Sequence, residues 1–173
     1  MRKSGLRGWR GVLAGVAAAV MGLGACAGPG QYFEGTGIRD ATVGEVAGSW
    51  GNIEDTRLTL RRDGTADFQH LDGQDFAFDD GWRVSGTGTW ELTDGDAGQV
   101  VRLAMTTRTA TGTRSDANSV DASVSAPATY RWSLQVDRDQ HDALHLFFFV
   151  GDPDAGSTYV LTRGKARNTT AGR

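Results

Sequence analysis

After residue 41 the chain alternates apolar and polar residues in short runs separated by turn signals. Arg57-Leu58-Thr59-Leu60-Arg61 sends two leucines one way and its polar residues the other, the period of a half-buried strand. Arg62-Asp63-Gly64 can turn the chain, and Ala66 and Phe68 then continue the buried face, with His70 following on it as a polar strand end. Val84–Leu92 alternates cleanly, and Thr93–Gly98 links it to a strand carrying Val101, Leu103 and Met105. Tyr130, Trp132, Leu134 and Val136 alternate with Arg131, Ser133 and Gln135. Leu144–Val150 is apolar on both faces, so it is either a covered central strand or exposes an aromatic stripe at Phe147 and Phe149. A last strand, Ser157–Arg163, follows the loop Gly151–Gly156, and a short first strand surrounds Gly48-Ser49-Trp50. Only Thr42–Ala47 offers a helical turn.

This pattern predicts an all-β domain of about eight antiparallel strands in sequential hairpins. The architecture expected is an up-and-down barrel, with a two-layer sandwich as the alternative. Gly86 and Gly88 fall on the inward face beside Trp90, where they allow sharp bending or leave room for the indole. Phe68, Trp90, Met105, Tyr130, Trp132 and Phe148 are the candidate lining of a pocket for one small apolar ligand. The same six side chains could instead fill the interior as a core.

Charge divides the chain. Of its 18 basic residues, four (Arg2, Lys3, Arg7 and Arg10) lie in the first 25 positions, which hold no acid. The remainder carries 14 basic against 21 acidic groups, a net of −7, which argues against an electrostatic nucleic-acid partner. After the basic stretch comes the apolar run Val12–Met21, then Gly22-Leu23-Gly24-Ala25 before Cys26. As a helix, Val12–Ala25 would rise about 21 Å, short of a bilayer core of about 30 Å. A basic flank, a short apolar centre and small residues at its end match an export signal.

Leu23-Gly24-Ala25-Cys26 resembles the lipobox that closes bacterial lipoprotein signal peptides. The resemblance implies a diacylglyceryl thioether on Cys26, cleavage before it, and often acylation of the new amino terminus. Two or three acyl chains bury enough methylene to make release slow, whereas one anchors only marginally. The alternative is an ordinary secretory signal followed by an incidental cysteine. Residues 27–41 are glycine-rich and lack an apolar period, which predicts a flexible spacer in which Tyr32 and Phe33 dock on the domain or rest at the membrane interface.

Gly48-Ser49-Trp50 is similar to the G-x-W signature of lipocalins. That resemblance implies an eight-stranded barrel in which Trp50 packs at the closed end against a late arginine, here Arg163, through a cation–π contact. The T-D-Y segment and C-terminal helix of lipocalins have no counterpart, and Gly88-Thr89-Trp90 repeats the tripeptide. More broadly, Leu60–Thr65, Gly88–Trp90 and Gly151–Gly156, with 16 Arg against 2 Lys, resemble small lipoproteins of high-GC Gram-positive bacteria, a likeness that brings no activity with it.

Chemistry-bearing residues are sparse. His141 and His145 have helical metal-ligand spacing, but they fall on a turn leading into a strand, and Asp142 stands where a zincin needs Glu. Asp152-Pro153-Asp154 begins like a calcium loop, yet glycine arrives one position early and no late Glu follows, so a rigid hairpin connection explains the same residues. Asp72-Gly73-Gln74-Asp75 and Asp79-Asp80-Gly81 offer hard oxygen ligands or keep a loop solvated around Phe76 and Phe78. No G-x-S-x-G elbow or phosphate-cradling motif occurs. Thr107–Ala128, with 13 of 22 residues Ser, Thr or Ala, reads as a long connection, either a lid or disordered.

The sequence thus predicts a signal peptide over 1–25, lipidated Cys26 and a tether over 26–41, a β-domain over 42–163 and a disordered tail over 164–173. The expected place is the extracytoplasmic face of the cell membrane. The expected roles are binding of a small apolar ligand or, alternatively, protein interaction or structural support in the cell envelope, without enzymatic activity, metal or cofactor.

Overall fold

The computed structural model describes residues 33–115 and 125–164. The expected export signal over 1–25, Cys26, Tyr32, the middle of the 107–128 segment and the tail beyond Gly164 lie outside these residues. Eight strands follow one another: β1 (Gly48–Gly51), β2 (Arg57–Leu60), β3 (Thr65–Asp72), β4 (Trp82–Gly95), β5 (Gly98–Thr113), β6 (Arg131–Arg138), β7 (Leu144–Phe149) and β8 (Thr158–Arg163). Each pairs antiparallel with the next, and β1 returns to β8, closing an up-and-down barrel rather than a sandwich. The closing seam is short, with Trp50 opposite Arg163 and Gly51 opposite Thr162.

One end, called lower here, carries the connections β2–β3, β4–β5 and β6–β7. A single helical turn, α1 (Val43–Val46), sits there. It starts at a capping box: the Thr42 hydroxyl accepts the Glu45 N–H at 3.2 Å, and the Glu45 carboxylate accepts the Thr42 N–H at 2.9 Å. The backbone and hydroxyl donors of Thr42, with Arg138 beside them, hold the Glu45 carboxyl below its usual range. Val46 is buried beneath the turn, and its carbonyl accepts the Trp50 indole N–H at 2.9 Å.

The segment before α1 departs from the expectation of a flexible spacer. Gln99 donates its backbone N–H to the Ile38 carbonyl at 2.7 Å, and its side chain holds both the N–H and the carbonyl of Ala41. Arg39 reaches the carbonyls of Gly95 and Asp96. Residues 33–41 are therefore laid against the barrel wall. Their glycines hid this from the sequence pattern, because the anchoring groups are backbone atoms, one buried glutamine and the Arg39 guanidinium.

The long hairpin β4–β5 runs from its turn at the lower end to the upper end, where Trp82 pairs with Thr113. Its register shifts between Ser85 and Gly86 and again between Thr87 and Gly88. A Cβ at Gly86 would collide with the Thr107 carbonyl, and one at Gly88 with that of Ala104. The two glycines thus let the bulged strand press onto its partner, a close approach of backbones rather than room for the Trp90 indole. Residues 107–113 belong to β5, contrary to the expectation that a connection begins at Thr107. Alternating Thr with Ala, Arg and Gly carries no hydrophobic contrast, so this half of the strand left no periodic signal.

A further irregularity lies in β3. His70 has φ of +51°, and the pairing slips between Phe68 and Leu71. The bulge returns Leu71 to the interior in place of His70, whose side chain is exposed, correcting the expectation that His70 shares the face of Phe68.

Candidate functional site

The barrel carries a polar cluster at its upper end that unites four separate chain segments. Thr56 comes from the β1–β2 connection, Asp72 from the end of β3, Arg83 from the start of β4 and Tyr159 from β8. Asp72 is fully excluded from solvent at 0% exposure. Tyr159 Oη donates to Asp72 Oδ2 at 2.8 Å and shares a short hydrogen bond with the Thr56 hydroxyl. Arg83 Nη2 donates to Thr56 Oγ1 at 2.8 Å and lies 3.2 Å from Asp72 Oδ2. Arg114, just beyond β5, approaches Asp72 Oδ1 at 3.8 Å and stacks its guanidinium 3.6 Å from the Phe78 ring centroid. The Asp72 backbone carbonyl also accepts the Trp132 indole N–H at 2.7 Å.

Electrostatics follow from the burial. Removal from water pushes the Asp72 carboxyl above its usual range, against the Tyr159 hydroxyl and the Arg83 and Arg114 charges, which pull it down. The Tyr159 phenol is raised above the ordinary tyrosine value, first by burial and then by the neighbouring Asp72 charge. Carboxylate, guanidinium and phenol compensate one another inside the cluster. Chemically it is a latch: it ties β3, β4 and β8 to the β1–β2 connection, beside the seam where the β1–β8 pairing is short.

The six candidate pocket residues belong to one hydrophobic core, with Tyr130 packed against its edge. Phe68, Trp90, Met105, Trp132 and Phe148 are buried and Tyr130 is half-buried. Trp132 contacts Phe68 at 5.3 Å and Tyr130 at 4.8 Å between ring centroids, and Tyr130 meets Trp82 at 5.0 Å. Phe148 stacks on Tyr159 at 4.7 Å. The Trp90 indole N–H donates to the Arg61 carbonyl at 2.7 Å. Offset and edge-to-face contacts of this kind are those of a filled aromatic core.

At the lower end the Arg163 guanidinium lies 4.3 Å from the Trp50 ring centroid and donates to the Ala47 carbonyl at 2.9 Å. The remaining candidates are dispersed. His141 occupies the turn after β6, where its backbone N–H donates to Asp139, and His145 stands on the outer face of β7, 3.5 Å from Asp137. Asp152 accepts the Asp154 N–H at 3.0 Å, the local bond of a tight turn. Among the described residues no three His, Cys, Asp or Glu side chains converge as metal ligands. Cys26 lies outside them.

Sequence reasoning missed the latch. Asp72 was grouped with the solvated acids of the β3–β4 loop, whereas it is the most deeply buried charge of that stretch. One signal was available: Asp72 and Arg83 end and begin the two strands flanking that loop, which makes them cross-strand partners in any hairpin. Compared with protein-family models, curated proteins and solved structures, the chain matches none.

Proposed function

We propose that this protein is a lipid-anchored module of the cell envelope, held at the extracytoplasmic membrane face through Cys26, that acts through its outer surface and loops. The observation that carries this reading is the mutual packing of Phe68, Trp132, Tyr130 and Trp82 across the barrel interior. Side chains that complete one another's contacts stabilise a core. A carrier of a small apolar ligand would hold them apart around a volume of several hundred Å³. The upper connections offer a partner apolar contact, as in the exposed Phe76 of the β3–β4 loop. The role proposed is interaction or structural support, with no catalysis.

Anchoring is supported by the basic flank, the short apolar run and Leu23-Gly24-Ala25-Cys26. The test is metabolic labelling with a palmitate analogue, paired with melting curves of the purified lipoprotein against a panel of fatty acids and isoprenoids. The reading predicts label on the wild type, none on Cys26→Ala, and melting unchanged by every panel member. Label retained by Cys26→Ala would overturn the anchor. A melting rise with one apolar compound would restore the ligand-carrier alternative.

A further inference from the structure

The outer face of β7 and β8 differs from the rest of an acidic domain. Its outward residues pair across the two strands as His145 with Thr162, Phe147 with Val160 and Phe149 with Thr158. None of the six is Asp, Glu, Lys or Arg. Val160 is 40% exposed, and the fully exposed Ile53 borders the same groove beside it. Of the two expectations for this strand, cover on both faces is the one found: Phe147 is buried and Phe149 half-buried, and part of the chain itself lies on them. Phe33 packs edge-on against Phe149 at 5.0 Å and Phe147 at 5.8 Å between centroids, while remaining 42% exposed.

Phe33 also marks where the described chain leads back toward Cys26, only seven residues earlier. Seven peptide steps span at most about 25 Å even when fully extended. We infer that this β7–β8 face, with Phe33 clamped on it, is the side the barrel turns toward the lipid bilayer. The inference rests on the anchoring proposed above and adds an orientation to it. A lipidated Cys26 keeps Phe33 within that reach of the membrane surface. Two properties then select this face: its six paired outward positions lack charge, with Glu54, Arg163 and Asp137 only at its borders, and Phe33, Phe149 and Val160 supply aromatic and aliphatic surface suited to the headgroup boundary. The acidic remainder of the domain is repelled by anionic headgroups and turns away.

The orientation is tested on the full lipoprotein, whose single native cysteine is consumed by the lipid. A fluorophore is placed at Val160→Cys or, on the outer surface of β4, at Thr87→Cys. Each protein is reconstituted into phosphatidylglycerol–phosphatidylethanolamine vesicles carrying brominated acyl chains, and intact mass confirms the lipid on Cys26. The expected result is quenching at position 160 at least about twofold stronger than at 87, given burial of several Å into the interface. Phe33→Ser should abolish the difference without lowering the melting temperature, because Phe33 is a surface clamp. Equal quenching at both sites with the lipid present would overturn the orientation alone. A mass without lipid would overturn the anchor and the orientation with it.

Discussion

Asp72 shows how much of this fold depends on single atoms placed by distant parts of the chain. It is a carboxylate with no exposure, held between two guanidiniums and a phenol. Removing one member of such a cluster leaves its partners charged and out of water, which typically costs more than the pair ever contributed. Asp72→Asn should therefore destabilise the domain by about 3 kcal/mol. The measurement is a urea transition whose midpoint falls while its slope stays constant; an unmoved midpoint would contradict the latch. Tyr159 gives the same cluster a signature in alkali. An unfolded tyrosine ionises near 10.0, whereas the native phenol is held neutral to higher pH by burial and by Asp72. The stabilisation is complete below pH 10 and is lost as pH rises from there toward the native pKa, because only the unfolded chain gains by releasing the proton. Tyr159→Phe should flatten this alkaline decline, read from melting temperatures across that range. Of this cluster only the Asp72–Arg83 pairing was legible in the sequence, from its place across the β3–β4 hairpin. Arg114 and Tyr159 are remote from Asp72 in the chain, and the bulge at His70 breaks the alternation that would have placed Asp72.

At the scale of elements, legibility followed hydrophobic contrast. The inward faces of β2, of β6 and of β3 as far as Phe68 could be read from alternating Leu, Phe, Trp and Val, and the turn at Gly64, with φ of +82°, from its Asp-Gly pair. A helical turn over Thr42–Ala47 was visible too, and its Thr42–Glu45 capping box is a finding of the structure. The upper half of β5 was not, because Thr106–Thr113 has no apolar side to declare, and its course is dictated by the glycines of β4. That dependence can be measured. Gly86→Ala would drive a methyl into the Thr107 carbonyl and should cost about 1–3 kcal/mol. Gly112→Ala, with nothing within 4 Å of the added carbon, should stay within about 0.5 kcal/mol of the wild type. Equal effects at the two glycines would mean that the bulges do not rely on close approach.

For the whole molecule, three separate sequence signals converge on one arrangement. A net charge of −3 averages a basic N-terminal stretch over an acidic remainder, and the lone Cys26 stands at their junction. The glycine-rich stretch after it was expected to move freely, yet from Phe33 to Ala41 it is bound along the wall of the barrel. The barrel closes at a short seam braced by the Asp72–Arg83–Tyr159–Thr56 latch, with Trp50 and Arg163 stacked at its lower end. Between these two ends the aromatic side chains lean on one another. The sequence named these residues correctly as inward-facing, but it could not decide between a pocket and a core, since that depends on how far opposite walls approach. The account holds that they form a core and that function resides on the outside. Native mass spectrometry of the protein, extracted in mild detergent from its own host, tests this most directly. The account predicts a mass equal to the lipidated chain alone; a stoichiometric small apolar molecule retained until the barrel unfolds would contradict it.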